Sequence, residues 1–143
     1  MSHRHTFLLL SLVLNAGALR AQQTSGQACP APFSSIALPN AKLIGAIQDG
    51  DKWTNPSVIV SADGYELILH GQPRSAERMS LAELRQHLVA LPVASWPLGR
   101  VMAGSQNGLM TYESDRPIVA RRISELRAVL AGLCVRFDQW PSS

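Results

Sequence analysis

Ser105, His70, His87, Glu66 and the pair Asp49 and Asp51 are the side chains best equipped for chemistry, and their spacing bears on whether they do any. Ser105 lies in "AGSQNG", with Gly104 as its immediate neighbour. A nucleophilic serine on a strand-to-helix elbow has a glycine two positions to either side instead. It also needs a base within hydrogen-bond reach, and no spacing ties His70 or His87 to it. A small secreted hydrolase is therefore the weakest of the functional readings, and no catalytic residue is assigned. Asp49 and Asp51 in "QDGDKW" alternate as in a calcium loop. The further oxygen ligands and the distal glutamate of such a loop are missing, so the stretch reads as a turn. Glu66 and His70 fall on one side of a strand and read as a solvent-facing pair, with a shared proton as the lesser alternative. No metal and no cofactor is expected.

Cys29 and Cys134 are the only cysteines. Two thiols so far apart have no metal-ligand spacing. They read as a disulfide, with a pair of free buried thiols as the alternative. A bridge across just over 100 residues is worth about 4 kcal/mol in the chain-entropy model. The compartment follows from the N-terminus. "MSHRH" is short and basic, "TFLLLSLVL" is apolar, and small residues follow in "NAGALRAQQ". These are the three parts of a secretory leader, here residues 1–21, with ends after Ala18 or Ala21 both fitting. The apolar run from Thr6 to Leu19 has 14 residues, against the roughly 20 that span a bilayer. The expected product is exported, to the periplasm or beyond, without stable membrane insertion. Loss of Arg4 and Arg20 with the leader leaves 11 basic against 10 acidic side chains. Such a balance argues against nucleic acid as a partner.

Elements that could position these residues are legible along the chain. Residues 22–56 read as an extended arm ordered near Cys29, in which Ala41 to Ile47 is either a strand or an apolar segment laid on a core. Residues 57–143 read as the folded domain. In "SVIVSADGYELILHG", Asp63-Gly64 fits a type I′ turn between two strands. That register puts Val58, Val60, Ala62, Tyr65, Leu67 and Leu69 on one face, and Ile59, Ser61, Glu66 and Ile68 on the other. "QPRSAER" is a loop. Ser80 and Glu83 make a capping box, and Pro92 ends a helix whose stripe is Leu81, Leu84, Leu88 and Leu91. Arg100 to Ala103 reads as a central strand, and Leu109 to Ser114 as either a short strand or a loop. A second helix follows, with Asp115 as N-cap, Pro117 in its first turn, Val119, Ile123, Leu126, Leu130 and Leu133 as its stripe, and Gly132 at its end. Cys134 to Trp140 is the last strand. The fold class is α+β: a small mixed sheet of about four strands with two helices on one face, in the order β-β-α-β-α-β.

This order, with "VSADGYELILHGQP" followed by "SLAELRQHL", resembles the periplasmic domain of the ExbD and TolR biopolymer-transport proteins, from Val58 to Trp140. The resemblance implies the fold, with peptide or protein binding and dimer formation. It does not extend to proton-driven transport, because residues 6–19 hold no Asp or Glu and are too short for the membrane helix of that family. The expected function is a non-catalytic binding or accessory domain whose partner is a protein, a peptide or a second copy. Ile59 and Ile68 on the hairpin's mixed face, and Leu109, Met110 and Tyr112 in the loop after the third strand, are the candidate contacts. A secreted inhibitor presenting the 105–117 loop is the alternative.

Overall fold

The computed structural model describes residues 28–106 and 112–140. The expected leader at 1–21, and Leu109 and Met110, lie outside these residues. The protein is an α+β domain built on one four-stranded mixed sheet. Its elements in chain order are α1 (Ala41–Gly45), β1 (Ser57–Ser61), β2 (Gly64–Ile68), α2 (Leu81–Ala90), β3 (Val101–Gln106), α3 (Arg116–Gly132) and β4 (Arg136–Gln139). The strands lie in the order β2-β1-β3-β4; β1 pairs antiparallel with β2 and parallel with β3, and β3 pairs parallel with β4.

The hairpin forms at the expected place with a different turn. Ser61 pairs with Gly64 and Val60 with Tyr65, so Ala62 and Asp63 are the turn residues. Neither has positive φ, which excludes type I′; Gly64 instead opens β2 at φ +145°. A Cβ there would stand 2.7 Å from the Met79 carbonyl oxygen, which accepts from the Tyr65 N–H. The register therefore moves from the expected one by two positions along β2. A shift of two keeps every side chain on its face, because the side-chain period of a strand is two.

Val58, Val60, Tyr65 and Met102 meet Leu84 and Leu88 of α2 and Val119, Ile123, Leu126 and Leu130 of α3 in one buried cluster. Tyr65 is fully buried, and its hydroxyl donates to the Arg122 carbonyl at 2.9 Å. The capping box of Ser80 and Glu83 is present in both directions. Asp115 stands at the N-cap of α3 but makes no side-chain cap bond. The left-handed residue that ends α3 is Cys134, at φ 60°, and not Gly132. The Cys134 N–H donates to Ala131 and the Val135 N–H to Leu130, the paired bonds of a Schellman end. This end consumes Cys134 and Val135, so β4 begins at Arg136, later than expected.

The arm is not extended. Residues 28–56 hold two single helical turns and the short helix α1, capped by Asn40. Phe33 and Ile36 are buried in the main cluster, with Phe33 edge-on to Trp96 at 5.6 Å. Burial of a Phe side chain is worth roughly 1.5–3 kcal/mol, which an arm free in solvent would forgo. Main-chain bonds from Arg100 to Ala37 and from Asn40 to Leu98 fix the arm beside β3. Cys29 and Cys134 are joined by a disulfide, with Cα atoms 5.5 Å apart. A third helix is thus present beyond the two expected, on the opposite side of the sheet.

Candidate functional site

The sheet face away from α2 and α3 is covered only in part. Ile44 and Ile47, on and just after α1, lie with Trp53 and Trp140 over Leu98, Val101 and Ala103. Trp53 and Trp140 meet edge to face at 5.4 Å, and the Trp53 indole N–H donates to the Pro56 carbonyl. Trp140 lies close over Gly50, where a Cβ would stand 2.9 Å from the ring. Buried Asn55 locks this corner: its amide donates to the carbonyls of Gly99 and Val101 at 2.8 and 2.7 Å, and its oxygen accepts from the Leu98 N–H at 2.8 Å. Both amide protons and one lone pair of the oxygen are used, so neither polar atom is left unpaired on burial.

Beyond the two indoles the cover stops. Ile59 and Ile68 stand diagonally on neighbouring strands, since Ser57 pairs with Ile68 and Ile59 with Glu66, and both are half-buried. They line a groove of about 320 Å³ together with Trp53, Trp140, Ala103 and Ser105, and Asp51 lies at its rim. The groove floor is apolar and its edge carries hydroxyls and one carboxylate. Such a lining takes an apolar group and orients it by a few polar contacts.

Glu66 shares this face but is not solvent-facing. Its side chain is 2% exposed, and it is gripped by Arg74 and Arg78 from the loop that follows β2. The Arg74 hydrogen bonds lead in holding its carboxyl below the usual range, against the opposing effect of burial; Arg78 adds to them. His70 is exposed and lies in another hollow, beside Thr54, Leu69 and Ser95. The pairing of Glu66 with His70 is therefore replaced by an arginine clamp. The signal for it was in "QPRSAER": two arginines just after an acid that would otherwise have no partner.

No family model, no curated protein and no solved structure matches the chain. The site is thus read from its own geometry. Ser105 faces the groove from β3, while His70 lies in the hollow beside Thr54 and His87 is exposed on α2 beside Glu83. No hydrogen bond joins either histidine to a serine among the described residues, and no three metal-ligating side chains converge there. No helix among them is long and apolar enough to cross a membrane. Of the expected contact residues, the structure brings Ile59 and Ile68 together. Tyr112 is not among the residues that line the groove; it is 76% exposed at the turn that leads into α3. The sequence reading missed Trp53 and Trp140, whose side chains complete the groove from the two ends of the domain.

Proposed function

We propose that this protein is an exported, non-catalytic binding domain that holds an apolar segment of a protein or peptide in the groove of Ile59, Ile68, Trp53 and Trp140. The observation that carries this reading is the incomplete cover of the second sheet face. One face is sealed by α2 and α3; on the other, Ile44, Ile47 and the two indoles cover Val101 and Ala103, and a groove stays open at Ile59 and Ile68. The groove is at the small end of ligand sites, which suits one or two side chains better than a large cofactor. The hydroxyls of Ser57 and Ser105 border the groove and are placed to orient a bound segment. The disulfide supports export, since such bonds persist in oxidising compartments. The α+β order of elements from Ser57 to Gln139 is the one that the resemblance to ExbD and TolR periplasmic domains implies, and that resemblance in turn implies protein contacts. Tyr112, exposed ahead of α3, favours the inhibitor alternative, in which that loop makes the contact.

Ile68→Glu tests the groove. The variant should keep its circular dichroism and melt within about 1 kcal/mol of the parent, because the side chain is outside the main core. It should weaken capture of a partner from periplasmic extract by about tenfold or more. Capture of the same partner at undiminished affinity would move the site elsewhere, and the companion Tyr112→Ala would show whether the loop carries it. Unfolding of Ile68→Glu would show that the open face is core. Loss of a measurable turnover in Ser105→Ala would make the protein an enzyme.

A further inference from the structure

The two sulfurs of the bridge stand in opposite fields. Cys29 lies against the guanidinium of Arg100, whose Nη1 donates to its Sγ at 2.7 Å. The main chain holds Arg100 there from both sides: its N–H donates to the Ala37 carbonyl at 2.8 Å, and its carbonyl accepts from the Arg136 N–H at 2.9 Å. Arg100 is half-buried, and no carboxylate pairs with it among the described residues. Cys134 follows the C-terminal end of α3, a helix of 17 residues. The carbonyl end of a helix carries partial negative charge and disfavours an anion. The guanidinium of Arg136, two residues on, is already engaged by Asp138 at 2.8 and 2.7 Å. Negative charge is therefore favoured on Cys29 Sγ and disfavoured on Cys134 Sγ. A thiolate beside an arginine is stabilised, and the stabilised thiolate is the better leaving group.

We propose that this bridge is an exchange site for a small-molecule thiol, opened by attack at Cys134 with Cys29 as the leaving group. The incoming thiolate forms a bond to Cys134 Sγ. The Cys29–Cys134 bond breaks, and its electron pair leaves on Cys29 Sγ beside Arg100. No proton moves in this step and the net charge is unchanged. The product carries a mixed disulfide on Cys134 and a thiolate on Cys29. That thiolate can return to Cys134 and expel the small thiol. Alternatively a second thiolate attacks the sulfur of the first, releasing the oxidised thiol dimer and leaving Cys134 as a thiolate. Both cysteines are half-buried, within reach of a small molecule. Phe33, Ile36 and the Arg100–Ala37 and Asn40–Leu98 main-chain bonds keep the arm docked when the bridge opens, so the exchange is reversible within the folded domain.

The exchange site stands apart from the groove, so Ile68→Glu should leave it unchanged. The test treats the oxidised, folded protein with glutathione at about pH 7. Samples are quenched early with N-ethylmaleimide and mapped by peptide mass. Glutathione should sit on Cys134 and maleimide on Cys29 at least about tenfold more often than the reverse. Concentrated guanidinium chloride separates Arg100 and α3 from the sulfurs, and the preference should vanish there. Arg100→Met should reduce it at least about threefold, and Arg100→Lys, which keeps the charge, should retain most of it. In the reduced, folded parent, alkylation of Cys29 should accelerate at lower pH than that of Cys134. Access sets the rate of alkylation but does not move its pH midpoint, and Arg100→Met should bring the two midpoints closer. Glutathione on Cys29, or shared equally, overturns the proposal. So does a bridge that yields no label on either cysteine after hours with glutathione. A preference that persists in denaturant, or undiminished in an Arg100→Met protein with the parent melting profile, overturns it as well.

Discussion

Glu66 lies between two core residues of β2 with its carboxylate on the groove side, 2% exposed, under the side chains of Arg74 and Arg78. Alternation along the strand placed it on the correct face, but alternation cannot tell a solvated acid from a clamped one. That depends on a loop whose path no periodicity describes. The clamp has a signed consequence. The folded carboxyl titrates below its ordinary 4.5, chiefly through Arg74. A depressed folded value contributes stability that is complete above the unfolded value and is lost as pH falls through the folded one. The melting temperature should therefore drop as pH falls from about 4.5 downward. Glu66→Gln should flatten part of that drop; a remainder comes from Glu83, held low by the Ser80 N–H of the capping box. At neutral pH the same substitution should cost about 1–3 kcal/mol, since the buried carboxylate loses its charge-assisted bonds. A Glu66→Gln protein with the parent's acid profile would mean the clamp contributes nothing.

The hairpin shows which features of an element are legible and which are not. The apolar pattern fixed the faces of β1 and β2, and the structure keeps them. The turn did not follow from Asp63-Gly64, although the pair suits a type I′ turn. Here Gly64 is claimed by the strand, where its φ of +145° brings the backbone against the Met79 carbonyl. That contact is tertiary and leaves no mark in a two-residue motif. Gly64→Ala should then destabilise by roughly 2 kcal/mol or more, from a backbone conformation reserved for glycine together with a clash against a carbonyl. Asp63→Ala, with φ negative, should cost less than about 1 kcal/mol. A type I′ turn would instead make both positions sensitive. Thermal melts of the two variants separate the cases. The helices were read more fully, because capping boxes and leucine stripes are local. The end of α3 was not: Gly132 looked like the stop, yet the left-handed position fell on Cys134, where the bridge to Cys29 holds it.

At the scale of the molecule, the stretch before β1 was the least legible. Its apolar residues are isolated among polar ones, so no period announces that Phe33 and Ile36 complete the core or that Trp53 meets Trp140. The disulfide and the arm's own contacts now share the task of closing the domain, and their contributions can be separated. The bridge closes 105 positions, worth about 4 kcal/mol in the chain-entropy model. Reduction should lower the melting temperature by about 10–20 °C. It should leave the domain folded at room temperature, because Phe33, Ile36 and the Arg100–Ala37 and Asn40–Leu98 bonds remain. Cys29→Ala and Cys134→Gly both remove the bridge. The second also relieves a left-handed residue that glycine adopts freely, so it should be the more stable of the two by about 1 kcal/mol. Intact mass of protein produced from the full chain, taken with and without reductant, tests the bridge and the expected leader together. The expected mass starts at Leu19 or Gln22 and lacks two hydrogens. Alkylation of both cysteines under non-reducing, denaturing conditions would remove the bridge from the native protein. Retention of Met1 in a membrane fraction would turn the leader into an anchor.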